Sequence, residues 1–588
     1  MSANNATRRF IGGWRRTFSA NAHMKRPSTG MATKAATSGQ ASRWTARSAL
    51  ALAATTGALG FGLATFAFEG SPKRTASLYD TRTPGPKYAS VSEMELALKD
   101  IRDELKAHGE NEDIISIDAD DLHAHGYSEW STVNPEGLPV AVVYPRSTEQ
   151  VSIVTRICHK YRVPIIGYSG GSSLEGHFSA PYGGISVDFA YMDKIVQFNK
   201  DDMDIVVQPS IGWQDLNEQL SRLQSGLFFP IDPGPSAKIG GMIGTNCSGT
   251  NAVRYGTMKD WVINLTVVLA DGTVIKTRRR PRKSSAGYNL NGVFVGSEGT
   301  LGLVTEGTCN ISILQITFGS HALTHPAERI ATLKLAIVPE ETSVAVVSFP
   351  TIRDAASAAA GVMQAGIPVA SMEVMDDVQM RVINLGGATA PRVWKEAPTL
   401  FFKFAGTKAS VQDNIGRVRG ITKANRGSHF EFARDEREQK LLWSARKEVL
   451  WSMLALRKEG EEVWSTDVAV PFSRLADLIE ISKKEMDDMG LFASILGHIG
   501  DGNFHESIIY NRTKKDEVEK VERCVHNMVD RALDMEGTCT GEHAIGWGKK
   551  ASLLREVGPD TLGVMMQIKR ALDPLWIMNP GKIFDVPR

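Results

Sequence analysis

Neither aspartate nor glutamate occurs before Glu69, although nine lysines and arginines do. A stretch with one sign of charge cannot lace itself with ion pairs. Ser, Thr and Ala fill most of the rest, around basic-apolar bursts such as RRFIGGWRRTF (8–18). This is the composition of a mitochondrial presequence, expected over 1–47, and a basic tail that binds nucleic acid is the plainer alternative. Charge of either sign is missing from ALALAATTGALGFGLATFAF (49–68), twenty residues that as a helix would reach about 30 Å. Its Ala, Gly and Thr make it a weak span. Segment 48–68 is therefore expected either to anchor the chain in the inner mitochondrial membrane, facing the intermembrane space, or to serve as a sorting segment for the matrix.

Cysteine is scarce: Cys158, Cys247, Cys309, Cys524 and Cys539 are odd in number, far apart, and form no CxxC pair. That excludes a disulfide framework and a cysteine zinc site, and the absence of CxxCH excludes an attached haem. No GxxxxGK[S/T] and no GxGxxG occurs, so neither a P-loop nor a dinucleotide fingerprint is present. Acid outnumbers base from residue 69 onward, 66 to 58, which argues against nucleic acid and suits a basic protein partner.

Glycine, by contrast, is plentiful at 54 of 588 residues. A chain of this length calls for two or three structural units. A linker and a leading helix over 91–108 occupy 69–134. PVAVVYP, then STEQVSIVTRICHKY capped by Ser147 with Gln150 at the box position, then VPIIGYS, reads as a βαβ unit delivering the loop GYSGGSSLEGH (167–177). Two further glycine-rich stretches follow, DPGPSAKIGGMIGTNCSGTNAVRYG (232–256) and GVFVGSEGTLGLVTE (292–306), separated by a hairpin turning at Asp271-Gly272. Three such loops in order imply backbone closing around one extended, phosphate-containing molecule. Later, SVAVVSFP (343–350) and TLFFKFAG (399–406) alternate as strands, and helices are expected over 353–365 and 435–456.

GHIGDGNFH (497–505) sets His498 and His505 seven apart, and CTGEHAIG supplies Glu542. Two imidazoles and a carboxylate leave an open position on a divalent metal, while isolated histidines are more often ordinary hydrogen-bonded groups. Arg446 lies on an amphipathic helix and offers a guanidinium that can grip a carboxylate, with Arg434, Arg437 and Lys447 as competitors. KTRRRPRK (276–283) reads as a solvated basic loop or a patch toward lipid or a partner.

The segments GGSSLEGH, IGGMIGTNCSGTNAVRYGTM, RPRKSSAGYNLNGVFVGSEGTLG, TDVAVP, GHIGDGNFH, GTCTGEH and MNPGKIF together resemble the FAD-dependent vanillyl-alcohol-oxidase-type flavoproteins over 135–588. Within them the chain is similar to the mitochondrial D-lactate dehydrogenase (cytochrome) group, in its fungal form. The resemblance implies an α+β protein: a two-part PCMH-type FAD-binding domain (135–313), an antiparallel-sheet substrate or cap domain with flanking helices (314–540), and a C-terminal segment (541–588) returning over the flavin. It implies that Tyr168, Ser169, Gly170, Gly171, Ser172, Ser173 and Gly176 hold the FAD pyrophosphate. Gly240, Gly241, Thr245, Asn246, Gly249, Arg254, Glu298, Gly299, Gly302 and Asn579 would line the rest. His177 lies beyond the centre of the first loop, so the flavin is expected to be non-covalent. The resemblance further assigns His498, His505 and Glu542 to a divalent metal (Zn or Mn), His543 to the catalytic base and Arg446 to the substrate. Ala544 stands where relatives carry glycine, which leaves the fine geometry of that turn open. The implied activity is oxidation of D-lactate to pyruvate with electrons passed to cytochrome c, the alternative substrates being D-2-hydroxyglutarate and glycolate. A metal-dependent hydrolase and a non-catalytic, membrane-tethered flavin-fold protein are the competing classes.

Overall fold

The computed structural model describes residues 85–305 and 331–587, apart from 111 and 388. They belong to one compact unit, Ala76–Arg588. The expected presequence and the 49–68 segment lie outside the described residues, among which no helix is long and apolar enough to cross a membrane.

The leading helix forms as its periodicity predicts, over Val91–Ala107, started by a reciprocal capping box between Ser90 and Glu93. Its buried stripe of Met94, Ala97, Leu98, Ile101 and Leu105 packs on the helix Thr148–Tyr161. Ser147 caps that second helix, but the Gln150 side chain accepts the Arg146 N–H at 2.7 Å and not that of Ser147. The helix crosses from Ala141–Val143 to Ile165–Tyr168, and Ile185–Asp188 runs between those strands, parallel to both. The first glycine loop therefore leaves from the edge of a small, mostly parallel sheet.

The Asp271-Gly272 hairpin forms, joining Thr266–Val268 to Val274–Lys276, with Gly272 at φ 86° supplying the left-handed turn residue. The apolar run before it is divided. Val262–Asn264 pairs instead with Ala331–Lys334, whose other neighbour is Asp204–Val207. Because Ala331–Lys334 sits inside this sheet, the chain leaves the first half only after Ile337, later than the division expected at 313.

The second half is built on an antiparallel sheet in the order Ser428–Phe432, Glu341–Ser348, Thr399–Gly406, Ser371–Met375, Phe492–Gly497, Asn503–Asn511, Glu461–Ser465, with Val468–Ala469 also pairing Asn503–Asn511. Strand alternation divides its side chains cleanly. Ala345, Val347, Val374, Phe402 and Phe404 enter the core covered by Ile352–Gln364, Lys408–Ala424 and Phe472–Met489. Val344, Val346, Met375 and Phe401 pack on Trp443 and its neighbours across the other face. The helix expected over 435–456 is two, Glu436–Lys447 and Val449–Ala455, meeting at Glu448. After the long helix Lys550–Leu572, interrupted at Gly558-Pro559, the chain returns to the first sheet: Ile165 exchanges 2.7 Å hydrogen bonds with Ile577 and Asn579. The architecture is α+β.

Candidate active site and metal centre

His498 and His505 face each other because the adjoining strands Phe492–Gly497 and Asn503–Asn511 turn tightly. A Cβ at Gly497 would stand 2.6 Å from Phe504 Cα, so only glycine fits the close approach. The two rings meet edge-on with centroids 5.5 Å apart. Glu542 reaches them from the loop after Cys539, its Oε1 lying 3.0 Å from His498 Nε2 and 3.5 Å from His505 Nε2. Its Oε2 accepts the Ser248 hydroxyl at 2.8 Å, from the second glycine-rich segment.

The donor set fits a cation. His505 Nδ1 lies 2.9 Å from the Thr466 carbonyl, which can only accept, so Nδ1 carries the hydrogen and Nε2 presents a lone pair. His498 Nδ1 is supported in the same way by Glu373 Oε1 at 2.9 Å. Two Nε2 atoms and a carboxylate oxygen then converge, the three sequence-assigned groups lying within 4.8 Å of one another. Burial opposes charge on His498, yet Glu373 and Glu542 on its two nitrogens hold it well above the ordinary imidazole range, so a cation bound here would displace the Nε2 proton. A second cluster, Asp467, His505 and His543, is equally compact. It is the poorer ligand set, since His505 Nδ1 is taken by Thr466 and both oxygens of Asp467 are occupied. Burial works against charge on Glu542 and Glu373, yet the facing imidazoles, and for Glu373 also Arg446, hold both below the ordinary carboxylate range.

Asp467 was not singled out from the sequence, and it organises the loop. Its Oδ2 accepts the N–H groups of Gly541, Glu542 and His543 at 2.8, 3.0 and 2.9 Å and the Thr540 hydroxyl at 2.7 Å. Its Oδ1 accepts from Asn503 at 2.7 Å. Glu298 grips the other side of the same loop, taking the Ile545 and Gly546 N–H groups at 2.9 and 2.7 Å. Between them Ala544 sits at φ 61°, so the turn forms with alanine in the left-handed region. The His543 ring stacks on His505, interplanar angle 10°, and its Nδ1 has no hydrogen-bond partner. Burial pushes His543 down to about 4, against the pull of Asp467, leaving a neutral imidazole at physiological pH.

Arg446 lies on this side of the sheet but is not wholly free: Nε donates to Glu373 Oε2 at 2.7 Å. The same carboxylate thus bridges the expected substrate arginine and an expected metal ligand, His498, a role that one glutamate in a strand does not betray in sequence. Lys403, also unmarked, projects from the neighbouring strand over the Trp443 ring at 4.0 Å. Burial lowers its pKa, against the opposing charge of Asp232.

The glycine-rich loops come together. Gly296 and Glu298 donate to the carbonyls of Ile243 and Gly244 at 2.9 Å, Ser169 donates to Pro209 at 3.2 Å, and Asn579 reaches the His177 and Glu298 carbonyls. A Cβ at Gly241 or Gly244 would meet nothing within 4 Å, so that wall is open to a cofactor. Several side chains expected at the cofactor are engaged elsewhere. Arg254 donates to the Ala405 carbonyl at 2.7 Å, and Asn246 receives Thr257 and Lys259. Thr245 donates to Gly241, and Tyr168 packs between His125 and Phe178. The Glu298 carboxylate holds the 541–546 loop, with His177 Nε2 3.1 Å away. What these positions offer a cofactor is mainly backbone.

Residues 139–278 match the FAD binding domain family and residues 338–583 the C-terminal domain of FAD linked oxidases. The chain is 47% identical over 510 residues to the mitochondrial D-lactate dehydrogenase (cytochrome) of Kluyveromyces lactis, covering 85% of this chain and 83% of that one. It is 44% identical to the protein of the same name from Arabidopsis thaliana, covering 80% and 78%. Among solved structures, p-cresol methylhydroxylase with substrate bound shares the fold at a TM-score of 0.66 and 19% identity, covering 85% of this chain and 98% of the other. The two-part, PCMH-type architecture follows.

Proposed function

The chain belongs to the mitochondrial D-lactate dehydrogenase (cytochrome) family of FAD-linked oxidases, and from that we propose how its own residues oxidise D-lactate to pyruvate. The three glycine-rich loops would hold FAD non-covalently, which would supply the hydride acceptor, and His498, His505 and Glu542 would hold a divalent ion, Zn or Mn, which would supply the charge that acidifies the substrate hydroxyl. The free edge of the Arg446 guanidinium, with the Lys403 ammonium beside it, takes the substrate carboxylate. His543 accepts the hydroxyl proton at its unpartnered Nδ1 as hydride leaves the adjacent carbon. Asp467 keeps that imidazole and Glu542 in register by holding their backbone.

The observation that carries this reading is the convergence of two imidazole Nε2 atoms and a carboxylate oxygen beside a third histidine that is neutral and has no partner at Nδ1. Pyruvate and one proton would be released, the hydride equivalent staying with the cofactor until cytochrome c, a one-electron acceptor, takes up its two electrons. The protein is mitochondrial. Its finer address is the intermembrane space, with 48–68 holding it at the inner membrane. We divide it into 135–337 for the cofactor, 338–540 for the substrate and 541–588 for the returning segment.

The test is the visible spectrum of the purified chain. It should be yellow, bleach on D-lactate, lose that response after chelation and regain it with Mn or Zn. A colourless protein would point to the hydrolase reading. Bleaching by D-2-hydroxyglutarate or glycolate but not D-lactate would move the substrate within the same chemistry.

A further inference from the structure

The chemistry above leaves the basic run at 276–283 without a task. Arg280 of that run is neutralised, with Asp202 at 2.7 Å and Asp204 at 3.3 Å. Arg278 and Arg282 are not. Arg278 donates to the Pro281 carbonyl and Arg282 to the Asp202 and Met203 carbonyls, groups that accept a hydrogen bond without cancelling the charge. Arg278 Nε is buried with no hydrogen-bond partner. Both guanidiniums line a cavity of about 400 Å³ together with Lys259 and Lys334. Among the described residues the single acid on its wall is Asp260, whose Oδ2 caps the Thr257 N–H at 3.0 Å, and none of the four cations forms an ion pair.

Four like charges around one concavity repel one another, and an anion between them relieves that repulsion. The effect is visible on Lys334, held below its usual value by burial and, against Asp260, by Arg282 and Arg278. The concentration of positive charge is at odds with the rest of the chain, where acid exceeds base from residue 69 onward. Arginine forks suit the paired oxygens of a phosphate, lysines add point charge, and the Asn289 side chain supplies an amide on the same wall. The cavity is wide enough for a phosphate bearing a small organic substituent.

We propose that the cavity formed by Lys259, Arg278, Arg282 and Lys334 binds a phosphate-bearing anion, either the headgroup of an anionic phospholipid or a free phosphate or diphosphate. None of the lining residues is among those assigned to the base, the substrate or the metal, so the ligand acts on the location or stability of the enzyme and not on the chemical step.

The experiment compares the full-length holoenzyme with Arg278→Gln/Arg282→Gln. Both should turn over D-lactate equally, which establishes that the variant folds. In one arm, each is co-sedimented with phosphatidylcholine vesicles with and without phosphatidylglycerol; the basic residues before Glu69 contribute identically to both proteins. Loss of two cations should weaken binding to the anionic vesicles about 30-fold and leave the neutral vesicles indifferent. In the other arm, inorganic phosphate and pyrophosphate are titrated while melting is followed. A rise in the wild type that the variant lacks, with equal vesicle binding, assigns the site to the free anion. Equal behaviour of wild type and variant in both arms overturns the proposal.

Discussion

Replacing Glu373 by Gln tests the bridge between the proposed substrate arginine and the metal ligands. The side chain is fully buried, accepts His498 Nδ1–H on Oε1 at 2.9 Å and accepts Arg446 Nε–H on Oε2 at 2.7 Å. A glutamine fits the same volume but has one acceptor. Its amide nitrogen must face a donor, whichever way the group turns. One charge-assisted bond, worth about 1.5–3 kcal/mol, is lost, and the other falls to the strength of a neutral one, about 1 kcal/mol. A total of about 2–5 kcal/mol is expected, divided by the orientation of the amide. If its oxygen stays with Arg446, His498 loses the group that orients it, and metal affinity should drop about 10- to 100-fold. If it stays with His498, Arg446 is released and KM for D-lactate should rise by a similar factor. Metal content of protein dialysed against graded free metal, and KM at saturating metal, separate the two cases. Both quantities within twofold of wild type would refute the bridge.

Three other perturbations follow from the same geometry. Asp467→Asn keeps the shape but removes the charge that four loop donors share, costing about 3 kcal/mol at somewhat under 1 kcal/mol per donor, so turnover should fall about 100-fold with flavin retained in the absorption spectrum. His543→Ala should lower kcat by about 10²–10⁴-fold, the usual contribution of a general base, while flavin and metal contents stay unchanged; wild-type turnover would remove His543 from the mechanism. Ala544→Gly relieves a left-handed alanine and should raise stability by up to about 1 kcal/mol, read as a higher melting temperature; a lower one would show that the turn is not strained.

The elements legible in sequence were those whose signal is local. Apolar periodicity announced the 91–108 helix and Ser147 the start of the next, Asp271-Gly272 announced a hairpin, and TLFFKFAG matched its strand to the residue. His498 and His505 were legible for the same reason, because seven residues across one turn suffice to bring the two rings together edge-on. Glu373 and Asp467 were not. Each is a single carboxylate in an ordinary apolar strand or its exit, and its partners lie 36 to 125 residues away, so no spacing rule reaches them. The glycine-rich loops gave their positions but not their division of labour. Glu298, Arg254, Asn246 and Asn579 were assigned to the cofactor by the resemblance, while the structure turns their side chains to the task of binding loops to one another.

That division of labour bears on how the proposed chemistry can be precise. The base and the flavin loops lie on different halves of the fold, and the hydride path tolerates little error between them. Residues 541–546 carry Glu542 and His543, and two carboxylates clasp this segment from opposite sides: Asp467 from the cap sheet and Glu298 from the glycine-rich turn of the cofactor half. Ser248 adds a third tie, from the second glycine-rich stretch to Glu542. A change at any of these three should therefore shift the base relative to the flavin without touching either, lowering kcat more than it raises KM. A metal ligand set supported from both halves by the same short loop also makes metal occupancy depend on their closure, so removing Glu298 should weaken the metal although it is not a ligand.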